Sequence, residues 1–304
     1  MEELKKRHKL KNGTYGKPER YLGASAGEYH LQHGSLWSLS AEDYLTQACK
    51  QVKEMATKEG RRWAKERKSP MAEPCRPEND ASGELGEELA PRHMQLIGIL
   101  RWAAELGRMD FTAEASMLPS CSCAPRAGHL EAACQAFEHA QSHLRPAAAF
   151  GSALPELDGG KLASTAGWPQ IYGDIKEEIP NDLPETRGNP VQITMLTDAA
   201  HAGNLVNRRS HTGIIIFASK APITWHSKRQ ATAEASAFGS ELAALRVGME
   251  MNEGLRYKLR MMGIPLLGPS NVLCDNHSVV DNASLPESQL KKKHLPIAYH
   301  YARE

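Results

Sequence analysis

Between Ile193 and Asn282 the apolar periodicity of the chain changes repeatedly, and no other stretch restricts the fold as tightly. Ile193–Asp198, Gly213–Ala218 and Ile223–His226 are apolar runs of strand length. The turns between them hold Asn207-Arg208-Arg209-Ser210 and Ser219-Lys220-Ala221-Pro222. A long helical stretch runs from about Thr232 to Met262, with Phe238, Leu242, Leu245 and Met249 on one face, and Pro265 and Gly268-Pro269 stop it. Asn271–Cys274 then reads as a short buried strand, Asn276–Asn282 as a helical turn, and Lys291 onward as another helix, cut off at Glu304. Three strands, a helix, a strand and further helices predict an α/β (α+β) fold, a mixed sheet with helices packed on it.

Three acids fall at informative places in that pattern. Asp198 closes the first strand and is followed by small residues and the turn-forming Gly203-Asn204, whereas Asp275 closes the fourth. An aspartate after a strand is ordinarily an Asx-turn residue. Glu241 changes the balance: it stands one residue before Leu242 and four before Leu245, so it points near the sheet. No Lys or Arg lies within four positions on its N-terminal side, and Arg246 at i+5 is off its face. A buried carboxylate without a partner is costly. Convergent carboxylates without a cation require a metal or a raised pKa, and hard oxygen ligands favour Mg²⁺ or Mn²⁺ over zinc. Two such ions activate a water and stabilise the leaving oxygen in phosphodiester hydrolysis. The competing arrangement leaves Asp198 and Asp275 as turn caps and pairs Glu241 with a distant lysine.

Charge separates the two ends of the chain. Residues 190–304 carry 13 Lys+Arg against 9 Asp+Glu, a net of +4, with six of the 13 histidines; the first 189 carry 24 against 27, a net of −3. A modestly basic C-terminal part suits a polyanionic partner. The six cysteines form no even-spaced framework. Cys121-x-Cys123, near His129, Cys134 and His139, lacks the two-to-four-residue gap of a zinc knuckle. No apolar run approaches 18 residues, and no apolar region follows the charged start, so the chain reads as soluble and intracellular with reduced thiols and no membrane partner.

Upstream, Tyr21, Leu22, Tyr29 and Leu31 around glycine turns predict a hairpin. Ser40 reads as an N-cap ahead of a helix carrying Tyr44, Leu45, Ala48, Val52 and Met55. Residues 57–92 read as a charged, proline-containing connection. His93–Leu118 is helical with a break at Gly107, and a further helix covers about His129–His143. The Pro-, Gly- and Ala-rich stretch 146–189 reads as a linker between a unit over 1–145 and one over 190–304.

On these residues the chain resembles the polyproteins of copia-type retrotransposons. In the C-terminal part the matching motifs are T-D-A-A-H-A-G (197–203), N-R-R-S-H-T-G (207–213), A-P-I-T-W-H-S-K-R-Q (221–230), S-E-L-A-A-L (240–245), C-D-N-H-S-V-V (274–280) and K-K-H-L-P-I-A-Y-H-Y-A-R-E (292–304). They resemble the ribonuclease H domain of that family, and their order adds to their individual specificity. Upstream, R-Y-L-G (20–23), W-S-L-S-A-E-D-Y (37–44), Q-L-I-G-I-L-R-W-A (95–103), R-M-D (108–110) and P-R-A-G-H-L-E-A-A (125–133) resemble the end of the reverse transcriptase, a mainly helical thumb or connection.

The resemblance implies a metal-dependent endonuclease hydrolysing the RNA of an RNA–DNA hybrid, with Asp198, Glu241 and Asp275 as ligands to two Mg²⁺ (or Mn²⁺) ions and His294 assisting. Arg208, Arg209, Lys228, Arg229, Asn276, Lys292 and Lys293 are the implied nucleic-acid contacts. It also implies a polymerase domain in a parent polyprotein as partner, and a location in the cytoplasm, in virus-like particles or in the nucleus. No Y-x-D-D pair occurs, so no DNA synthesis by this chain alone is expected. Two positions depart from the pattern: Pro296 stands where many relatives have an aspartate two residues after the late histidine, and Ala200 replaces a second acid of the first motif. They leave open the alternative of an inactive remnant that at most binds nucleic acid.

Overall fold

The computed structural model describes residues 18–31, 34–72, 76–157, 167–173, 177–288 and 296–303. The N-terminal part opens with strands β1 (Arg20–Tyr21), β2 (Ala24–Leu31) and β3 (Gly34–Ser40), joined in an antiparallel sheet. The predicted hairpin is present. Its tight turn uses Leu22 and Gly23, both with positive φ, as a two-residue turn matching strand twist requires. Helix α1 (Glu42–Lys58) follows; its N-cap position is Ala41 rather than Ser40, whose hydroxyl instead accepts the N–H of Glu42. Helix α2 (Leu89–Glu105), the short α3 (Thr112–Met117) and α4 (Ala127–Ser142) complete the layer.

The stretch 93–118, read as helical with a break at Gly107, is two helices with the break there. Gly107 takes φ +102°, and a Cβ there would meet the carbonyl of Leu39 and the Cβ of Ala148, each at 3.2 Å. Arg108 is 1% exposed, grips Asp110 with two hydrogen bonds and lies over the Phe111 ring, locking the turn. Leu45 and Val52 of α1, Leu96 and Leu100 of α2, and Leu130 and Phe137 of α4 form the core beneath the sheet.

Strand β4 (Ala147–Phe150) corrects the boundary drawn at 146. Those residues belong to the N-terminal sheet, pairing with Trp37–Ser40 of β3, so the unit is mostly helical with a four-stranded sheet. An all-alanine run ending in Phe has no alternation, and only its neighbours make it a strand. Helix α5 (Trp168–Tyr172) lies farther along the same stretch.

The second sheet contains β5 (Ile193–Ala200), β6 (His211–Ala218), β7 (Ala221–Arg229) and β8 (Asn271–Cys274), in the order β7-β6-β5-β8. The β5–β6 and β6–β7 pairs are antiparallel and β5–β8 is parallel, the mixed sheet expected. Helix α6 (Ala237–Met261) links β7 to β8 and covers one face, burying Leu242, Leu245 and Leu259 against Ile193, Met195, Ile214 and Ile216. It starts five residues later than its pattern predicts, at a Ser236 cap whose hydroxyl accepts the N–H of Gly239. Helices α7 (His277–Ser284) and α8 (Pro296–Arg303) pack beside it.

The segment 177–191 is strapped to the far end of α6. Glu177 pairs with Arg256 and Arg260, whose guanidiniums hold its carboxyl down at about 2. The N–H of Arg187 reaches the carbonyl of Gly263, the left-handed residue that ends α6 at φ +74°. A Cβ on Gly263 would meet the carbonyl oxygen of Glu185 at 2.9 Å. Gly263→Ala is therefore expected to cost about 1–3 kcal/mol, left-handed strain plus a displaced strap. Thermal unfolding of the two proteins checks it, and an unchanged midpoint would refute this role of Gly263.

The two sheets are not independent. Trp225 of β7 donates its indole N–H to the carbonyl of Ala104 at the end of α2, Ser116 of α3 bonds the His211 ring, and Arg76 reaches the carbonyl of Gly203. The N-terminal unit therefore roofs part of the β6–β7 face that α6 leaves open.

Candidate metal centre

Strand β8 ends at Cys274, opposite Thr197, whereas β5 runs three residues farther to Ala200. Among the described residues, Asp198, Ala199 and Ala200 thus have no strand beside them on that side, and the first turns of α6 come down there. Three ties hold them: His201 bonds the Ser240 hydroxyl, the Gln230 amide donates to the carbonyl of Ser240, and the same amide reaches the Thr212 hydroxyl. Gly248 lies two turns after Glu241 on the same face of α6, and a Cβ there would come within 2.7 Å of the Met195 sulfur. The missing side chain lets α6 approach β5 closely.

The outcome is a carboxylate pressed against a strand end. Glu241 is only 5% exposed; it takes the backbone N–H of Ala199, and its Oε2 receives no hydrogen bond from a donor among the described residues. Burial, followed by the charges of Asp198 and Asp275, pushes its carboxyl up to about 7, and a hydrogen bond with Asp198 adds to the rise. Asp198 and Asp275 are both exposed at the rim. No Lys or Arg forms an ion pair with any of the three among the described residues. Candidate ligand atoms of Glu241, Cys274 and Asp275 lie within 4.8 Å of one another. Asp198 is not in that group and joins it through Glu241.

The sequence pattern therefore places three acids that the fold brings together. Cys274 was not among them: it looked like the last residue of a buried strand, and its thiol in fact borders the acids, pushed up by burial. Set against hard ions, the cluster fits: an orphaned buried oxygen, two exposed carboxylates and, among the described residues, no competing cation are a donor set of the kind Mg²⁺ or Mn²⁺ takes.

Beside the acids, the open face of the sheet carries rows of residues from three strands. Leu196, Ile215 and Trp225 form one row, Asp198, Gly213 and Ser227 the next, and Ala200, His211 and Arg229 the third. The first two rows line a cavity of about 830 Å³, closed on one side by Met109, Thr112 and Ala113 of the N-terminal unit and bordered by Asp275. The third row, one strand step of ~6.8 Å from Asp198, lines a smaller pocket of about 100 Å³ with Arg76, Arg209 and Ser116. The nearby Arg229 and His226 charges, after burial, hold the His211 ring below the usual imidazole range.

Other residues expected to contact nucleic acid are dispersed. Arg208 sits exposed at φ +56° in the turn after β5, and Lys228 is exposed on β7. Asn276 caps α7 through the N–H of Val279. His294, Lys292 and Lys293 lie outside the described residues. Helix α8 opens at Pro296, and its Tyr301 bonds Glu253, which is 12 residues beyond Glu241 and so ~18 Å along α6. Arg76 and Ser116 carried no sequence signal, and His211 lay in a matching motif without being singled out, because the three come from separate elements that meet only in the packed chain.

No family model matches the chain. Three curated proteins are similar to part of it. The Retrovirus-related Pol polyprotein from transposon TNT 1-94 of Nicotiana tabacum is 34% identical over 109 residues, 36% of this chain and 8% of that protein. The Retrovirus-related Pol polyproteins from transposons RE1 and RE2 of Arabidopsis thaliana are 27% and 26% identical over 117 residues, 38% of this chain and 8% of each. Over about a third of its length the chain is thus related to copia-type Pol polyproteins, and the match spans less than a tenth of those proteins.

Proposed function

We propose that residues 190–304 are a ribonuclease H-like unit that hydrolyses the RNA strand of an RNA–DNA hybrid in a metal-dependent reaction. The observation that carries this reading is Glu241: a buried carboxylate with an orphaned oxygen, meeting two other acids and, among the described residues, no ion-pairing cation. Asp198, Glu241 and Asp275 would hold Mg²⁺ or Mn²⁺, which supplies an activated water and charge stabilisation at the leaving oxygen. The protein's own part is to fix the three carboxylates before substrate arrives, through the ties at Ser240 and Gln230. Arg209, Arg229 and Arg76 fit phosphate contacts one strand step from Asp198, which would position the duplex without reading its sequence. A hybrid would then be recognised by shape and 2′-hydroxyls. The N-terminal unit reads as the end of a reverse transcriptase, packed on the nuclease sheet through Trp225 and His211.

The test is cleavage of a hybrid labelled on its RNA strand. Mg²⁺-dependent cutting of the hybrid, with the same sequence as duplex DNA left intact, supports the nuclease. Equal cutting in excess EDTA would overturn the metal role, and binding without cutting would favour the remnant. The phosphate role has its own prediction: Arg229→Ala weakens hybrid binding uniformly across sequences and lowers the slope of log K against log [salt] by about 1. An unchanged slope in filter-binding titrations would remove Arg229 from the interface.

A further inference from the structure

We infer that Cys274, with Glu241 and Asp275, forms a second kind of metal site at the same cluster, selective for a thiophilic divalent ion such as Zn²⁺. Among the described residues, the candidate ligand atoms of these three lie within 4.8 Å of one another, while Asp198 stands outside. Glu241 is buried with Oε2 unpartnered, so one ligand is already desolvated and waiting for a positive charge. The backbone under the other two is held: Cys274 ends β8 in register with Thr197 of β5, and Asp275 follows directly, before the Asn276 cap of α7.

The donor chemistry separates this site from the one proposed for Mg²⁺. Mg²⁺ takes oxygen and leaves a thiol alone, whereas Zn²⁺ binds cysteine sulfur at about 2.3 Å and carboxylate oxygen at about 2.0–2.2 Å, commonly with three protein ligands and one open position. Ligands on a tetrahedral ion of that size stand about 3.5 Å apart, so closing the triad takes about an ångström of side-chain movement. Binding releases the thiol proton of Cys274, and any proton on Glu241, to solvent; no electron changes hands. Because Glu241 and Asp275 serve both ions, zinc at the triad withdraws two acids from Mg²⁺ and leaves Asp198 aside. Only this competition rests on the nuclease reading; the site itself does not.

Co²⁺ is the probe, because a thiolate ligand gives it a near-ultraviolet sulfur-to-cobalt charge-transfer band. The full chain, reduced and metal-free, is expected to develop that band at one Co²⁺ per chain and to lose it when Zn²⁺ is added. Cys274→Ser removes the band, and a Cys121→Ser/Cys123→Ser variant, which lacks the other closely spaced thiols, keeps it. Zn²⁺ affinity falls at least about tenfold in Cys274→Ser, the low end of what losing even an outer-shell partner costs a metal site. It falls likewise in Glu241→Gln, which retains the thiol and so guards against a folding defect of the first variant. No band in the wild type, or an unchanged band in Cys274→Ser, overturns the inference. Hybrid cleavage in Mg²⁺ keeps the two ideas apart. Cleavage without the cobalt band defeats this site alone, and the band without cleavage defeats the nuclease alone. Where both occur, zinc inhibition should weaken in Cys274→Ser, each protein's own Mg²⁺ rate being its reference.

Discussion

Asp198→Asn is expected to lower Mg²⁺-dependent cleavage of an RNA–DNA hybrid by about a thousandfold or more, the several kcal/mol a metal ion supplies to phosphodiester hydrolysis. The substitution keeps the shape of the side chain and removes its charge. Asp198 is exposed, two residues before the end of β5, and no cation among the described residues pairs with it, so the fold should lose little. Its charge also raises the Glu241 carboxyl, so the variant should be at least as heat-stable as the wild type in the absence of metal. A variant that is folded, binds hybrid and cuts at the wild-type rate would show that Asp198 is a strand-end residue and no more. Loss of activity together with loss of folding would also count against the assignment, because it would make the residue structural.

The second large effect links metal, pH and stability through Glu241. Its carboxyl titrates near 4.5 when unfolded and at about 7 in the fold. A raised carboxyl pKa favours the folded state while the group is protonated. The contribution is complete below pH 4.5 and is lost as pH rises through about 7. The 2.5-unit difference corresponds to about 3 kcal/mol. Glu114, buried on α3 and also pushed up to about 7, chiefly by burial, adds a second loss over the same window. The metal-free protein should therefore be less stable at pH 7.5 than at pH 5.5, and Glu114→Gln should recover only part of the difference. A divalent cation should distinguish the two acids: Asp198 and Asp275 beside Glu241 form no ion pair among the described residues, whereas Asp110 beside Glu114 is already held by Arg108. The rise in unfolding midpoint given by Mg²⁺ or Mn²⁺ should grow between pH 5.5 and pH 7.5, and it should be absent from Glu241→Gln at both. A cation effect of equal size in that variant would sink the assignment of Glu241 as a ligand.

The strands of the second sheet were legible as apolar runs of strand length, and α6 by the three-to-four spacing of Phe238, Leu242, Leu245 and Met249. Strand β4 was not, since Ala147–Phe150 shows no alternation and takes its state from β3 alongside. The break in the upstream helix was visible at Gly107, whereas its reason, the carbonyl of Leu39 and the methyl of Ala148 against that backbone, comes from β3 and β4. The five-residue error at the start of α6 has a similar origin: Thr232–Ala235 suits a helix, but the Ser236 cap sets the first turn.

For the candidate site the division follows the same physics. Sequence by itself determined that Asp275 directly follows a strand, that Asp198 lies late in another (which continues to Ala200 rather than closing at Asp198) and that Glu241 rides the inner face of a helix, because periodicity fixes direction along an element. Only the tertiary structure decided what they meet. The length by which β5 outruns β8, and the close approach that Gly248 permits, bury Glu241 with no ion-pairing cation among the described residues. The same packing brings Cys274 to the acids and Arg76 to Arg229, residues with no pattern in common. Those contacts depend on how elements far apart in the chain are laid against one another, and no local period encodes that.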